Sequence, residues 1–482
     1  MRLFNTTCLL WMFMLSLNSI GFAAESDDLK LWEHLDVFKQ QFTDDLPQMR
    51  ERQLIRALVV QSRTGFFINK GKIQGLQAAY LKNYEKFINK NIKKATNKIH
   101  IVYIPVPFNQ LIPALMAGKG DIAAAMLTIT AIREAQVSFA TGGKMRVNEL
   151  VITHKKGVHL DSLRDLSGKT VLVVKGSSYD EHLHTLNQRL AAQDLPPIKI
   201  KQAADYLSSE DILEMVNAGI VEITVVDDYL ASLWAKVLPD INVRQDLVIN
   251  EDGKLGWAVR KNSPVLQTSL NQFAQTVKKG TLLGNLLFNK FYKNTRWIKN
   301  PGVASERKKF GRFVDLFKKY GKQYDFDYYA LVAQAFQESG LNQKLRSHRG
   351  AIGIMQLLPS TAADRHVNIP DIEKLENNIH AGAKYMHFLR SYFFNDPAIS
   401  PFDQIAFSWA AYNAGPGNVK KMRRLAEKMQ LDKNKWFGNV ETAAGRIIGT
   451  ETVRYVSNIA KYYQAYLLLD EADNLKRTHT AK

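Results

Sequence analysis

One carboxylate stands alone in an uncharged run: Glu338 in "ALVAQAFQESGLN". Asp327 can cap the start of a helix there and Gly340 can supply its left-handed stop, so Glu338 falls in the last turn. On such a helix Leu331 and Ala335, seven and three residues earlier, share its face. Desolvation by apolar neighbours raises a carboxyl pKa, and the negative end of the helix dipole acts in the same direction. A carboxylic acid still protonated near neutral pH is what a general acid requires. By itself the stretch equally fits a polar residue that faces water at a helix end. Glu451 in "TETVRY" is the nearest rival, but Arg454 three residues on makes a structural ion pair the plainer reading. His182 and His184 in "EHLHTL" sit at i and i+2, on different helix faces, so no shared metal is expected. The single cysteine, Cys8, rules out both a disulfide framework and a thiol nucleophile in the mature chain. No cofactor or metal is expected.

The elements that must position Glu338 follow from the chain's texture. At 482 residues, two or three domains are the prior. The start, "MRLFNTTCLLWMFMLSLNSIGFAAES", has Arg2 before an apolar run and small residues near Ala23. It reads as a secretory signal over 1–23, with a retained anchor as the alternative. Residues 24–53 form a helical extension, with Leu31, Leu35, Phe38 and Phe42 on one stripe. From 54 to 294 short β-rich runs alternate with helical stretches, which argues for largely parallel sheets covered on both faces. Pro301 and Gly302 mark a linker over 295–307. Residues 308–470 read as all helical, and 471–482 as a disordered tail.

Net charge is +19, which favours anionic partners. In an exported protein these are wall polymers and an anionic outer-membrane surface, with the chain peripheral on its inner face in the periplasm. No zinc pattern or RNA-binding signature accompanies the charge, so nucleic acid is not expected as a partner.

The segments "GKGDIAAAM", "MLTITAIREAQVSFA", "VLVVKGSSYDEHL", "GIVEITVVDDYLAS" and "LGWAVRKNSP" resemble the periplasmic solute-binding proteins for polar amino acids. The resemblance implies a two-lobed α/β fold with a ligand between the lobes. It carries the family's carboxylate-gripping arginine to Arg133, a short polar residue before it to Thr128, and an acidic residue for the ligand's amino group to Asp227. The chemistry is apt, since a guanidinium fork binds a carboxylate bidentately and an Asp can hold an ammonium. Ser178 follows Gly176 at an expected helix N-terminus, where free amides favour an anion, and Phe66 could wall the cleft. "GLQAAYLKNYEKF" departs from that family by lacking the acidic residue common after the glycine, which leaves ligand and transport role open.

Downstream, "ESG", "SHRGAIGIMQLLPSTA", "NNIHAGAKYMHFL", "AFSWAAYNAGPGNV" and "GTETVRYVSNIAKYY" occur in that order. The series resembles the soluble lytic transglycosylases, which have a lysozyme-like, goose-type helical fold and cleave peptidoglycan. The resemblance places the catalytic acid on Glu338, with Ser339, Met355, Gln356, Tyr412, Asn413 and Tyr455 around the substrate. It implies peptidoglycan glycan strands as substrate and a 1,6-anhydro product. With the α/β half in front, the chain resembles the membrane-bound lytic transglycosylases whose first domain is solute-binding-like. A small amino acid or wall peptide is then the expected occupant of that domain. A non-catalytic wall receptor and a lysozyme-type hydrolase remain the alternatives.

Overall fold

The computed structural model describes residues 40–69, 72–141, 146–278, 281–288 and 307–480, with the side chains of 95, 288, 307–312 and 469–480 left out. The expected signal, the stripe residues Leu31, Leu35 and Phe38, and nearly all of the expected linker fall outside that range. Phe42 is described, and it lies in an irregular segment rather than on a helix, beneath the guanidinium groups of Arg52 and Arg56. Among the described residues of that extension, a helix spans Leu46–Glu51, capped by Asp45.

The α/β half is multistranded and two-lobed. Its strands are β1 (Leu54–Val59), β2 (Phe67–Asn69), β3 (Lys72–Gln74), β4 (His100–Pro105), β5 (Ile122–Thr128), β6 (Ser138–Ala140), β7 (Arg146–His154), β8 (Thr170–Val173), β9 (Lys199–Gln202), β10 (Ile223–Asp227) and β11 (Ile241–Val259). In lobe one β1 runs parallel to β4 and β5. In lobe two β8 runs parallel to β9 and β10. β1 and β10 are buried on both faces, which is why their sequences are continuous apolar runs without alternation. The lobes are joined by β11, whose first part pairs with β7 and whose last part pairs with β5 and β6. Register shifts between Arg244 and Gly253 let this one strand serve both sheets.

Among the helices of this half that line its cleft are α1 (Ala131–Gln136), α2 (Ser178–Ala191) and α3 (Ser209–Asn217). In the helical half, those that matter for the site are α4 (Tyr328–Ser339), α5 (Leu375–Phe393), α6 (Pro401–Ala414), α7 (Glu441–Ile447) and α8 (Thr450–Thr480). α6 is buried without interruption from Ile405 to Ala411, so it is central and shows little amphipathic pattern. α4 packs along α8, and the core around them holds Phe407, Trp409, Trp436 and Ile459.

One boundary and one ion pair differ from the sequence reading. α8 runs on to Thr480, through the tail expected to be disordered. No Gly or Pro interrupts 450–480. Arg454 also makes no ion pair with Glu451 among the described residues; Glu451 is exposed, and Arg454 lines a cavity between the halves.

Candidate active site and ligand cleft

The acid is placed by a short clip of backbone bonds. α4 starts at the Asp327 cap, whose carboxylate accepts from Tyr329 N, and ends at Gly340 with φ 61°. The Ser339 hydroxyl then donates to Ile354 O at 2.8 Å and accepts from Asn342 N at 3.0 Å. Ser339 therefore ties the helix end to the "GIMQ" segment, with its hydroxyl committed to backbone. That segment is held in turn from α5: Asn378 accepts from Met355 N at 2.9 Å and donates to Ile352 O at 2.9 Å and Ile372 O at 2.8 Å. Gln343 accepts from Ile354 N at 3.0 Å.

Close packing explains the glycines here. Gly353 has φ +81°, and a Cβ on it would come 2.4 Å from Asn378 Nδ2. A Cβ on Gly382 of α5 would come 2.7 Å from Met355 Cγ. Met355 is fully buried on Gly382, so its side chain packs in the core rather than facing a groove, while its carbonyl accepts from the Tyr412 hydroxyl at 2.7 Å. Gln356 has φ 47° and folds its amide back onto Gly353 O at 2.8 Å. Asn413 is exposed at the end of α6, and its side-chain oxygen accepts from the Thr452 hydroxyl at 2.6 Å. Asn378 and Gln343 escaped sequence reasoning as site residues. The signal for Asn378 was a buried-type amide at mid-helix four residues before Gly382.

Glu338 is half-buried, and its Oε1 accepts from the Tyr455 hydroxyl of α8 at 2.5 Å. Burial pushes the carboxyl up to about 7, while the Tyr455 bond pulls the other way by favouring the anion. Burial and the charge of Glu338 also push the Tyr455 and Tyr412 phenols well above their usual range, so both stay neutral donors. One other carboxyl of the helical half is pushed up to about 7 by burial: Glu441, which accepts from Gly438 N and the Ser457 hydroxyl, each at 3.1 Å. Ser457 follows Tyr455 by two residues, about 200° around α8. Glu441 is therefore on the far side of that helix from Glu338, facing the α/β half, and cannot share a substrate bond with it.

In the α/β half, Thr128 at the end of β5, Arg133 on α1, Ser178 at the first turn of α2 and Asp227 at the end of β10 all line one cavity of about 780 Å³. Phe66 does not. It is buried in the lobe-one core, stacked on Tyr103 at 5.5 Å, and the next residue, Phe67, faces the cavity instead. The Arg133 guanidinium donates to Thr128 O at 2.7 Å and Gly176 O at 2.9 Å and lies 3.5 Å from Glu181. Asp227 is buried beside Glu149, which with desolvation pushes its carboxyl up to about 8, and its Oδ1 has no hydrogen-bond partner. His182 pairs with Glu149 at 2.7 Å and His184 lies 3.5 Å from Asp180, each on its own face of α2.

The same cavity is closed by the helical half, through Phe402, Phe437, Glu441, Arg454 and Asn458. Beside it Glu214 of α3 is bonded by both Arg63 and Lys461, the latter from α8. Tyr206 stacks against Phe402 at 5.3 Å and Phe437 at 4.6 Å, and those two rings stack on each other at 6.0 Å.

A two-lobed α/β module joined to a helical module with a half-buried acid at a helix end is thus the class that fold and site define. Residues 61–293 match the bacterial extracellular solute-binding proteins, family 3, and residues 315–437 match the transglycosylase SLT domain. A membrane-bound lytic murein transglycosylase F of Desulfosudis oleivorans is 29% identical over 374 residues, covering 74% of this chain and 79% of that one. One of Pseudomonas fluorescens is 26% identical over 437 residues, covering 87% and 85%. Among solved structures, an ancestral arginine-binding protein bound to arginine is 23% identical, covers 50% of this chain and 99% of its own, and has a TM-score of 0.41. Over most of its length the chain is therefore similar to membrane-bound lytic murein transglycosylases F, with a solute-binding family 3 module followed by a transglycosylase SLT module.

Proposed function

We propose that this protein is a peptidoglycan lytic transglycosylase in which Glu338 alone serves as acid and then as base. The observation that carries the reading is a half-buried carboxyl, held near pKa 7 at a helix end, with a phenol as its partner and, among the described residues, no second carboxyl acting on it. Hydrolytic glycosidases use two carboxyl groups, one of them to hold water or to attack the sugar. With one, the protonated Glu338 gives its proton to the oxygen bridging N-acetylmuramic acid and N-acetylglucosamine as the C1–O bond breaks. The resulting carboxylate takes the proton of the muramic C6 hydroxyl, whose oxygen bonds to C1. A 1,6-anhydromuramic end and a free N-acetylglucosamine 4-hydroxyl result, no water is consumed, and Glu338 is protonated again. A pKa near 7 suits both halves of that cycle, and the Tyr455 donation favours the second. Met355 carbonyl and Tyr412 fix one wall of the site, and exposed Asn413 offers its amide to sugar hydroxyl or N-acetyl groups.

The test is product analysis on purified sacculi with wild type and Glu338→Gln. Anhydro-muropeptides from wild type and a loss of ~10²–10⁴-fold in the variant are expected. Equal product from both proteins removes Glu338 from the reaction. Reducing ends instead of anhydro ends make this a lysozyme-type hydrolase, and no product from either makes it a wall receptor.

The cavity bounded by both halves favours a second, regulatory reading: a small amino acid or wall peptide, its ammonium on Asp227, biases cleavage by the helical half. Wild-type cleavage should then change when such peptides are added, and Asp227→Asn should not respond. Identical wild-type rates with and without every candidate peptide reject it. Action on murein places the protein in the periplasm, and the positive charge would hold it near anionic surfaces; among the described residues no helix is long and apolar enough to cross a membrane.

A further inference from the structure

Gln334 lies one helical turn before Glu338 on α4, and the proposed reaction makes no use of it. It is 0% exposed, in a stretch otherwise made of Leu331, Val332, Ala333 and Ala335. Neither its amide nitrogen nor its amide oxygen has a full hydrogen bond. Leaving a buried amide unsatisfied costs stability that an aliphatic side chain of the same length would recover, so the residue calls for an explanation. The Tyr455 hydroxyl is a hydrogen-bonding neighbour of this amide, though the two form no full bond.

Tyr455 is the partner of the acid, and a phenol has one proton and a lone pair to commit. We infer that Gln334 is a positioning residue: its amide N–H, aimed at the Tyr455 oxygen, turns that hydroxyl so that its proton points at Glu338. Donation into an oxygen strengthens what that oxygen's own proton donates, so the amide reinforces the bond that stabilises the Glu338 carboxylate. Gln334 therefore holds the acid's pKa below the value burial alone would set, and keeps the base half of the cycle available. The groups that face Glu338 are consistent with so small a lever mattering. Tyr455 comes from α8 and Tyr412 from α6, and no charged side chain acts on the carboxyl among the described residues. A fixed charge nearby would swamp the effect of one amide; here none does. This inference rests on Glu338 being the acid.

Gln334→Met keeps chain length and helix propensity while removing the amide, with Gln334→Leu as a second variant should Met disturb the fold. The readout is kcat/KM for anhydro-muropeptide release against pH, with the thermal midpoint confirming a folded protein. Because free enzyme must carry a protonated Glu338, activity falls on the alkaline side as that proton is lost. In Gln334→Met that limb should move to higher pH by roughly half a unit, as expected for weakening one hydrogen bond. Tyr455→Phe should move it further in the same direction, and adding Gln334→Met to Tyr455→Phe should move it no more. A limb unmoved in both Gln334 variants overturns the inference, and so does an equal shift in the Tyr455→Phe background, which would mean the amide acts elsewhere. Glu338→Gln separates the two readings. Retained product there sinks the acid assignment and this inference with it, whereas lost product together with an unmoved limb sinks the inference alone.

Discussion

A carboxyl that holds its proton near neutral pH does so at a cost to the fold. Glu338 has a folded pKa raised from 4.5 to about 7, so between those values the folded chain binds a proton the unfolded chain has released. Its contribution is fully present below pH ~4.5 and lost as pH rises through about 7. Glu338→Gln, which keeps the shape and cannot ionise, should therefore be more stable than wild type at pH 8 by ~1–2 kcal/mol and similar to it at pH 4.5. Thermal midpoints at the two pH values check this, and a variant less stable at pH 8 would contradict the burial argument. The sequence made this residue legible through its Leu331 and Ala335 neighbours and its place before Gly340. It named the helix dipole as a second cause, but burial is the largest cause and the Tyr455 hydroxyl opposes it. That opposition was out of reach because Tyr455 is 117 residues away.

At the scale of elements, periodicity revealed those strands whose burial is two-sided. β1, β4, β5, β7, β8 and β10 were readable as apolar runs, as was the end of β11. β9 was not, because "KIKQ" is an edge strand whose charges alternate with apolar residues and face solvent. β2 and β3 form only a three-residue hairpin, too short to leave a pattern. Phe66 and Phe67 show why the cleft was harder to read than the sheet. Adjacent residues point opposite ways, and sequence alone could not say which of the two faced the core. In the helical half the motif order located the site, but not the division of labour within it. Ser339 and Met355 act through position, the first as a clip and the second as a buried plug that presents its carbonyl to Tyr412. Gly382→Ala tests the plug. The added methyl would meet Met355 at Cγ, Cβ and Cε, and Met355 cannot step back freely because Asn378 holds its N–H and Tyr412 its carbonyl. Overpacking of this kind costs ~1–3 kcal/mol, and the rate of wall cleavage should fall ~10-fold or more while the folded state persists. Urea unfolding and product release measure the two effects, and unchanged activity in a destabilised protein would separate the plug from the reaction.

Across the whole molecule, the two halves meet through a buried charge cluster rather than a bare apolar seam. Glu214 and Lys461 are each 2% exposed, one in lobe two and one on α8, and Arg63 of lobe one reaches the same carboxylate. Arg63 also donates to Asn458 of α8 at 3.1 Å, so one cluster touches both lobes and the helix that carries Tyr455. Ion pairs of this kind add little when replaced as a unit, but removing one member strands the rest. Glu214→Leu strands Lys461 and leaves Arg63 with only its longer pair to Asp211, at 3.7 Å, and should cost ~3–5 kcal/mol. Lys461→Met leaves Glu214 with Arg63 as its remaining partner and should cost less, ~1–3 kcal/mol. The double variant keeps only the half-exposed Arg63 and should recover part of the loss, so its destabilisation is smaller than the sum of the single ones. Denaturant unfolding of the full-length chain and the three variants gives this cycle directly. Because the cluster bridges the halves, the single variants should also separate one unfolding transition into two, with the α/β half and the helical half melting apart. Additive losses and a single transition in every variant would show that the cluster stabilises one half only.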